Sequence, residues 1–529
     1  MVRDGLVVCK TTGVEIAEDQ ERKMERIETI KDEDIDLSLI RETPFSFSMN
    51  NLVLPLKRVD DYLLAAVAEE RGIYAVAELA KKYGLKQRTL KAEKGLLIDA
   101  ISRAYGQVGT AAEVMENISG DDLSSVATEF EKPRDLLELI EDAPIIRLLN
   151  ALFQQAVKER ASDIHIEPYE KELEVRMRVD GILHKVLNPP KIIQEALISR
   201  VKIMAKLDIS EKRLPQDGRI RILIGRQDFD LRVSIIPTIF GERAVLRLLN
   251  RRQGLISLAE MGLEENDRAS LEEHLTRTNG IILVTGPTGS GKTTTIYAAL
   301  SRIYSEERNI ITIEDPVEYQ LKGIGQIHVN PKIELTFASG LRSILRQDPD
   351  IIMIGEIRDY ETAEIAIQAS LTGHLVLSTL HTTDASSAVI RLVDMGVEPF
   401  LVASSLSTVL AQRLVRTLCP HCRETYPPTA AERAYLPGNV SLLCRGAGCK
   451  FCRESGYLGR IGIFEILTVD GNIRQMISER VSVQDIKGYA VEKGMKTLFV
   501  DGLNKVMQGS TTLQEVLRVT QKDYADISV

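Results

Sequence analysis

Between about residues 258 and 418, short uninterrupted apolar runs alternate with longer stretches whose apolar residues recur at helical spacing. The runs are typical of buried strands, and the stretches between them are typical of amphipathic helices. Strands are predicted at 281–284, 309–313, 350–354 and 374–378. Helices are predicted at 293–304, 339–346, 361–372 and 385–395. We therefore expect a doubly wound α/β core that binds its ligand at the carboxyl ends of the strands.

A different pattern occupies residues 136–250, where apolar and charged residues alternate along several short stretches. Alternation of this kind is typical of antiparallel strands with one face toward a core. Strands are predicted at 172–179, 181–186, 219–224, 229–235 and 244–249, and helices at 145–158 and 192–205. We expect a small α+β, PAS-like domain. The domain is unusually rich in arginine, with Arg213, Arg219, Arg221, Arg226, Arg232, Arg243 and Arg247.

The first 115 residues carry no chemical motif, and we interpret them as an N-terminal docking domain. Six basic and eleven acidic residues among the first forty favour a solvated or disordered start, although isolated apolar residues also allow a short amphipathic helix over 14–31. After this start we predict a strand at 63–68 and helices at 75–83 and 95–105. A linker is predicted at 116–135.

Length and composition narrow the class of protein. The 529 residues exceed a single core, and we expect three to four domains. The chain has no uncharged apolar run of about 18 residues and no basic-then-apolar start, which predicts a cytoplasmic protein. The net charge of −9 argues against a protein that moves along nucleic acid, because such proteins usually have a basic footprint.

The most specific motif lies between the first predicted core strand and its helix. Residues 286–293, Gly-Pro-Thr-Gly-Ser-Gly-Lys-Thr, fit the G-x-x-x-x-G-K-[ST] pattern of a phosphate-binding loop. Its glycines let backbone N–H groups surround phosphate oxygens at a helix N-terminus. Lys292 is expected to reach the β- and γ-phosphates of ATP, and the Thr293 hydroxyl is expected to ligate Mg²⁺. The predicted nucleotide-binding residues are Gly286, Pro287, Thr288, Gly289, Ser290, Gly291, Lys292, Thr293 and Thr294.

Carboxylates follow two of the other predicted strands. Glu314 comes after the strand 309–313, and Glu356 comes after the strand 350–354. Many proteins with this loop have an aspartate where this chain has Gly355, so we expect Glu356 to act through water and to orient the attacking one. Glu318 and Asp359 lie nearby, and helix capping or surface exposure explains them as well as a catalytic role does.

Two histidines, His374 and His381, flank the last predicted core strand. A single histidine in such a place is more often a satisfied core residue. Because this strand is expected to lie beside the nucleotide, a functional role is an equal alternative. His381, at the loop end of the strand, is the better candidate for sensing the γ-phosphate.

Four cysteines form two pairs with metal-ligand spacing. Cys419 and Cys422 make one C-x₂-C pair, Cys449 and Cys452 make the other, and 26 residues separate the pairs. Four thiolates suit a closed tetrahedral Zn²⁺ site, so we predict a structural zinc within residues 419–465. Cys444 and His421 are spare candidate ligands outside the paired spacing, and a helical region is predicted from 466 to 529.

Together these motifs resemble those of the type II/type IV secretion ATPases. Five segments look like the family's phosphate loop, Asp box, Walker B and His box taken together: residues 286–294, 312–318, 345–350, 355–359 and 373–383. The signature of its second N-terminal domain is matched by residues 161–168 and 213–219. The four-cysteine insert is similar to the assembly branch (GspE and PilB). The N-terminal region resembles the type II secretion form, and no motif for binding cyclic di-GMP is present.

The resemblance implies a RecA-like motor that works as a hexamer, with ATP between the second N-terminal domain and the core. It implies that arginines of that domain approach the phosphates, and Arg219 and Arg232 match those positions best. Local salt bridges to Asp217, Asp228, Asp230 or Glu242 are an equal alternative for each arginine. The implied partners are the cytoplasmic domain of a GspL-like inner-membrane protein and a platform protein, so the motor would be cytoplasmic and peripheral to the inner membrane.

Three other interpretations stay open. Within the family, the chain is alternatively a type IV pilus extension ATPase. A nucleic-acid-translocating motor of the same fold is disfavoured by the acidic charge. A nucleotide-sensing scaffold that binds ATP without turnover is disfavoured by Glu356 next to an intact phosphate loop.

Overall fold

The computed structural model describes residues 29–31, 34–43, 45–107, 144–224, 227–250, 256–438 and 440–520, together with the backbone of three short strands before residue 28. The chain divides into two compact units, Met1–Arg252 and Gln253–Val529, and this boundary lies close to the predicted start of the core. The predicted linker at 116–135 lies outside the described residues.

The first unit begins with a small α/β region. Its elements are β1 (Leu6–Val8), β2 (Glu15–Ala17), β3 (Arg26–Ile27), α1 (Leu37–Glu42), α2 (Phe45–Asn51), β4 (Val53–Val59), β5 (Tyr62–Val67), α3 (Glu70–Lys82), β6 (Lys86–Ala92) and α4 (Lys94–Gln107). Four strands form a sheet in the order β3-β6-β5-β4. The predicted strand and both helices after residue 62 are present. The alternative of a helix over 14–31 is wrong, because the described parts of that stretch are strands β2 and β3.

The second region of this unit is the predicted α+β domain. Its elements are α5 (Pro144–Lys158), β7 (Asp163–Pro168), β8 (Leu173–Val179), β9 (Ile182–Leu187), α6 (Gln194–Ala205), β10 (Gln216–Ile224), β11 (Gln227–Thr238) and β12 (Gly241–Asn250). The six strands form one antiparallel sheet in the order β10-β11-β12-β7-β8-β9. Apolar residues of both helices and of alternate strand positions share one core, which confirms the predicted one-sided sheet.

The second unit contains the predicted α/β core. It begins with α7 (Glu265–Leu275), β13 (Gly280–Thr285), α8 (Lys292–Ile303), β14 (Ile310–Glu314), β15 (Gly325–His328), α9 (Phe337–Ile344), β16 (Ile351–Ile354), α10 (Tyr360–Leu371), β17 (Leu375–Leu380), α11 (Ala385–Asp394) and α12 (Pro399–Ser405). Every predicted core strand and helix is present, with ends shifted by one or two residues. Both faces of the central strand β13 are buried, because Ile281 and Leu283 join one apolar cluster while Ile282 and Val284 join another.

The unit continues with β18 (Leu406–Leu418), β19 (Arg423–Tyr426), α13 (Ala430–Arg433), β20 (Leu443–Gly446), β21 (Tyr457–Thr468), α14 (Gly471–Ser478), α15 (Val483–Glu492), α16 (Leu498–Met507) and α17 (Leu513–Thr520). Seven strands form the core sheet in the order β15-β14-β16-β17-β13-β18-β21. Only its last pair, β18 with β21, is antiparallel. The cysteine segment is therefore an excursion between two core strands, and its predicted end at residue 465 falls inside β21. Across the described ranges, no helix combines the length and apolar character that a bilayer span needs.

Candidate functional site

The glycine-rich loop connects β13 to α8, as predicted. Gly286 has φ of 149° and Gly291 has φ of 91°, conformations that favour glycine. A Cβ atom on Gly286 would lie 2.5 Å from the carbonyl oxygen of Gln412 on β18, so a side chain at this position would collide with backbone. Helix α8 begins at Lys292, and its N-terminal N–H groups and dipole favour an anion at the loop.

Lys292 is 9% exposed and lies under the loop. Its Nζ donates to the carbonyl oxygens of Gly286 at 2.8 Å and Pro287 at 3.0 Å. Burial lowers the pKa of Lys292 to about 8, although the negative charge of Glu356 acts to raise it. The ammonium group therefore lies close to a carboxylate that follows a different strand.

The threonines after Lys292 differ in their surroundings. Thr293 and Thr294 are partly exposed in the first turn of α8, whereas Thr295 is buried and its hydroxyl donates to Gln412 Oε1 at 2.5 Å. Within the described residues, the Thr293 hydroxyl has no protein hydrogen-bond partner. Its position in the first turn and its hydroxyl oxygen fit a hard, oxygen-preferring cation such as Mg²⁺ bound together with phosphates.

Glu356 and His381 meet at the carboxyl ends of β16 and β17. His381 Nε2 lies 3.4 Å from Glu356 Oε2, and Arg358 donates to the other oxygen of the same carboxylate. The Glu356 side chain is 16% exposed and that of His381 is 50% exposed. Strands β13, β17 and β16 are adjacent and parallel, so the predicted residues Lys292, Glu356 and His381, which follow them, form one polar cluster at the same edge of the sheet.

The surroundings of Gly355 explain why this strand end has a glycine and not the usual aspartate. A Cβ atom there would lie 3.3 Å from Glu314 Cα and 3.4 Å from Phe337 Cε1. The neighbouring strand and helix α9 therefore leave too little space for a longer side chain. The carboxylate of this strand is consequently supplied by the next residue, Glu356.

Glu314 lies at the end of β14 and is 2% exposed. Its carboxylate accepts hydrogen bonds from Thr312 Oγ1 at 2.6 Å, from Gln326 Nε2 at 3.1 Å and from the hydroxyl of Tyr297. Burial, together with the charge of Glu314, raises the pKa of Tyr297. Glu314 thus connects α8 and β15 to β14. In the described part of the chain it makes no hydrogen bond or ion pair with Lys292, Glu356 or His381.

Two further polar residues singled out in the sequence, Asp359 and His374, lie apart from this cluster. Asp359 is the N-cap of α10 and accepts from the Thr362 amide at 2.8 Å, which matches the capping alternative. His374 lies at the opposite end of β17, where its Nδ1 is 2.8 Å from the Ala369 carbonyl oxygen. Of the two histidines, only His381 is therefore near the loop.

Sequence reasoning missed Gln412 and Arg413, which β18 brings to the loop. Gln412 is 1% exposed and accepts from Thr295, and Arg413 Nη2 donates to the Thr383 carbonyl oxygen at 2.5 Å. The positive charge of Arg413 also contributes to the lowered pKa of Lys292. The available signal was a polar pair inside the apolar run Val409–Val415.

The arginine-rich sheet belongs to the other unit. Arg219, Arg232 and Arg247 are directly opposite one another in register on β10, β11 and β12. Arg219 pairs through two nitrogens with Asp230, which is 4% exposed, while the Arg219 side chain is 60% exposed. The local salt bridge considered for Arg219 is therefore present, although more than half of the side chain remains accessible.

The four predicted zinc ligands converge. The sulfur atoms of Cys419, Cys422, Cys449 and Cys452 all lie within 4.8 Å of one another, with neighbouring pairs at 3.7–3.8 Å. Tetrahedral zinc with bonds of about 2.3 Å places its sulfur ligands about 3.8 Å apart, so the donor set fits Zn²⁺. The amides of Cys449 and Gly456 donate to Cys452 Sγ. Cys444 and His421 lie outside this group, and His421 stacks on Phe451 at 4.1 Å.

Comparison with known proteins agrees with this geometry. The family model described as "Type II/IV secretion system protein" matches residues 138–518. Type II secretion system protein E of Pseudomonas aeruginosa is 49% identical over 91% of this chain and 97% of that protein. Type II secretion system ATPase E of Vibrio cholerae is 47% identical, with the same shares covered. Type IV pilus assembly ATPase PilB of Myxococcus xanthus is 43% identical over 93% of this chain and 88% of that protein.

Solved structures identify the fold. The ATPase DotB of Legionella pneumophila superposes with a TM-score of 0.52 at 21% identity, covering 71% of this chain and 95% of that one. DotB of Yersinia pseudotuberculosis gives a TM-score of 0.54 at the same identity and covers 71% of this chain and 93% of that one. At this identity the likeness concerns the fold alone, and it confirms the predicted RecA-like fold of the core.

Proposed function

The chain belongs to the type II/IV secretion system protein family, and we propose that it is the ATPase that powers pseudopilus assembly and protein export in type II secretion. Relatives named for type II secretion support this choice, since they match at 47–49% identity over 97% of their own length. The pilus assembly relative, at 43% identity, makes a type IV pilus extension ATPase the alternative. The observation that carries the proposal is the cluster of Lys292, Glu356 and His381 beside the glycine-rich loop.

The residues of the cluster divide the work of phosphoryl transfer. Loop amides and Lys292 bind the β- and γ-phosphates, and the loop carbonyls that Lys292 now contacts give way to stronger anionic partners. Glu356, held by Arg358, accepts a hydrogen bond from the attacking water and orients it in line with the γ-phosphate. His381, 3.4 Å from Glu356, senses the γ-phosphate from the neighbouring strand end.

Two metals complete the proposal. Mg²⁺, bound with ATP, neutralises phosphate charge, and Thr293 would hold it. Zn²⁺ would be held by Cys419, Cys422, Cys449 and Cys452. There it would cross-link the segment that connects β18 to β21, and it would take no part in the chemistry. Glu314, a catalytic candidate by its place at a strand end, would serve the site by its buried charge, and its three donors hold that carboxylate in place.

The remaining roles concern assembly. We propose a homo-hexamer in which Arg219 and Arg232 stabilise the charge on transferred phosphate, because an arginine-rich sheet face suits an anionic partner. Residues 1–115 would dock to the cytoplasmic domain of a GspL-like inner-membrane protein, and a platform protein would receive the force. The motor would then be cytoplasmic, contacting the inner membrane only through these partners.

ATP hydrolysis by the purified full-length chain tests the proposal. Wild-type protein should release phosphate from ATP, and Lys292→Ala should lower both nucleotide affinity and turnover, with turnover falling by on the order of 1,000-fold because a charge facing the phosphates is lost. ATP binding without phosphate release would favour the sensing scaffold instead. Stimulation of turnover by single-stranded DNA would favour a nucleic-acid motor, and either result would contradict the proposal.

A further inference from the structure

Strand β18 brings a polar pair, Gln412 and Arg413, against the glycine-rich loop. The main-chain oxygen of Gln412 packs against Gly286, and its side-chain Oε1 accepts from Thr295 at 2.5 Å. Since Gln412 is 1% exposed, it fixes both the beginning of the loop and the first turn of α8. The next residue, Arg413, therefore starts from a rigid position at the rim of the loop.

Arg413 connects this strand to the loop that follows β17. Its Nη2 donates to the carbonyl oxygen of Thr383 at 2.5 Å. Two residues earlier in that loop, His381 lies 3.4 Å from the carboxylate of Glu356. The loop is also fixed at Thr382, whose amide donates to Thr285 Oγ1 at 2.9 Å. Arg413 is thus one of the anchors that set the position of His381 relative to Glu356.

The positive charge of Arg413 also affects Lys292 of the glycine-rich loop. Burial is the main cause of the lowered pKa of Lys292, and the positive charge of Arg413 lowers it further. A charge-assisted hydrogen bond from a guanidinium to a carbonyl group is stronger than a neutral one. An arginine is therefore well suited to hold a half-exposed loop in a single position.

We propose that Arg413 is a positioning residue for ATP hydrolysis, which holds the His381 loop against the glycine-rich loop of its own subunit. This inference rests on the proposed ATPase function. It differs from the proposed role of Arg219 and Arg232, because Arg413 belongs to the same compact unit as the loop. A displacement of about 1 Å in a catalytic group costs about 100-fold in rate, so a modest loosening of the His381 loop is enough to slow turnover.

The test compares Arg413→Gln and Arg413→Lys with Arg302→Gln in the full-length protein. Arg302 is an exposed arginine at the far end of α8 that pairs with Glu272, and it serves as a control for loss of a surface charge. Arg413→Gln should lower kcat by about 10- to 100-fold while the affinity for ADP changes by less than about threefold. Arg413→Lys should recover part of the loss, because it keeps the charge but not the reach of the guanidinium.

A double variant separates positioning from general damage. If Arg413 acts through the His381 loop, Arg413→Gln combined with His381→Ala should be no slower than the slower single variant. Multiplied losses in the double variant would overturn the inference, as would a kcat for Arg413→Gln equal to wild type. Equal losses of kcat and ADP affinity would also overturn it. Absence of turnover in both wild type and Arg302→Gln would instead contradict the proposed function on which the inference rests.

Discussion

The glycine-rich loop and the cysteine cluster both adjoin β18, yet they are built in opposite ways. The loop site combines backbone groups with Lys292, Glu356 and His381, which come from three different strand ends; Lys292 is buried, and Glu356 and His381 are partly exposed. The cysteine cluster consists of four identical atoms on two short turns, and two of its members, Cys419 and Cys452, are buried. The strands of the core sheet position the residues of the loop site, whereas the cysteine cluster would depend on a metal bound by all four sulfur atoms.

This difference predicts what each site loses when it is changed. The conformation at the start of the loop is held by packing of Gly286 on Gln412, so altering Glu356 or His381 should spare the fold. Neighbouring cysteine sulfur atoms are 3.7–3.8 Å apart, well beyond the disulfide distance of about 2.05 Å, so a bound metal would be what joins all four. Changing a cysteine should therefore cost local folding and spare the chemistry.

The largest effect is expected at the cysteines. Cys452→Ser should remove the zinc, because four-thiolate sites contribute about 10–16 kcal/mol of apparent binding free energy, which is also folding free energy. Elemental analysis should show one zinc per wild-type chain and almost none in the variant, and limited proteolysis should cut within residues 419–456. Cys444→Ser is the matched control and should keep its zinc, since Cys444 lies outside the cluster. Zinc at wild-type content in Cys452→Ser would remove the contrast between the two sites.

A smaller effect on turnover is expected from the arginine-rich sheet of the other unit. Arg219→Ala should lower turnover by on the order of 100-fold or more if its guanidinium stabilises transferred phosphate. The control is Arg221→Ala, which removes an equally exposed arginine that lies 3.6 Å from Asp228. Turnover per folded molecule and melting temperature should be measured together. A lower melting temperature with normal turnover would mean that Arg219 serves only to pair with the buried Asp230.

The smallest effect is expected where the loop site depends on a buried hydrogen bond. Tyr297→Phe removes the hydroxyl that donates to Glu314, at a cost of about 1–3 kcal/mol, because a buried carboxylate loses a donor. Thermal unfolding should move down by about 2–4 °C per kcal/mol lost, with turnover per folded molecule changed by less than about threefold. Tyr304→Phe, at an exposed position just after the same helix, should melt like wild type. Unchanged melting of Tyr297→Phe would show that the bond contributes nothing.

Local patterns in the sequence are sufficient to predict the main residues of both sites. The loop glycines, Lys292 and the four cysteines are recognised because their chemistry requires fixed spacings along the chain. The core strands were predicted because uninterrupted apolar runs reflect burial on both faces. Glu356 and His381 were found because parallel strands end at the same edge of a sheet.

The missed features depend on contacts between distant segments. Strand β7 contains Asp163 and Glu167, whose charges are accommodated by arginines on neighbouring strands, so its burial is not evident from its composition. Strands β18 and β21 carry charged residues within apolar runs, which concealed their place in the core sheet. Arg413 and the hydrogen bonds of Glu314 became evident only from tertiary structure, because their partners are many residues away in the chain.

The most direct test of the account is to measure nucleotide affinity and turnover together on Glu356→Gln. The substitution keeps the size of the side chain and the loop, and it removes the carboxylate that we propose orients the attacking water. The account predicts ATP affinity within about threefold of wild type and turnover lower by about 100-fold or more. Turnover close to wild type would contradict the role of Glu356, and so would a parallel loss of affinity like that expected for Lys292→Ala.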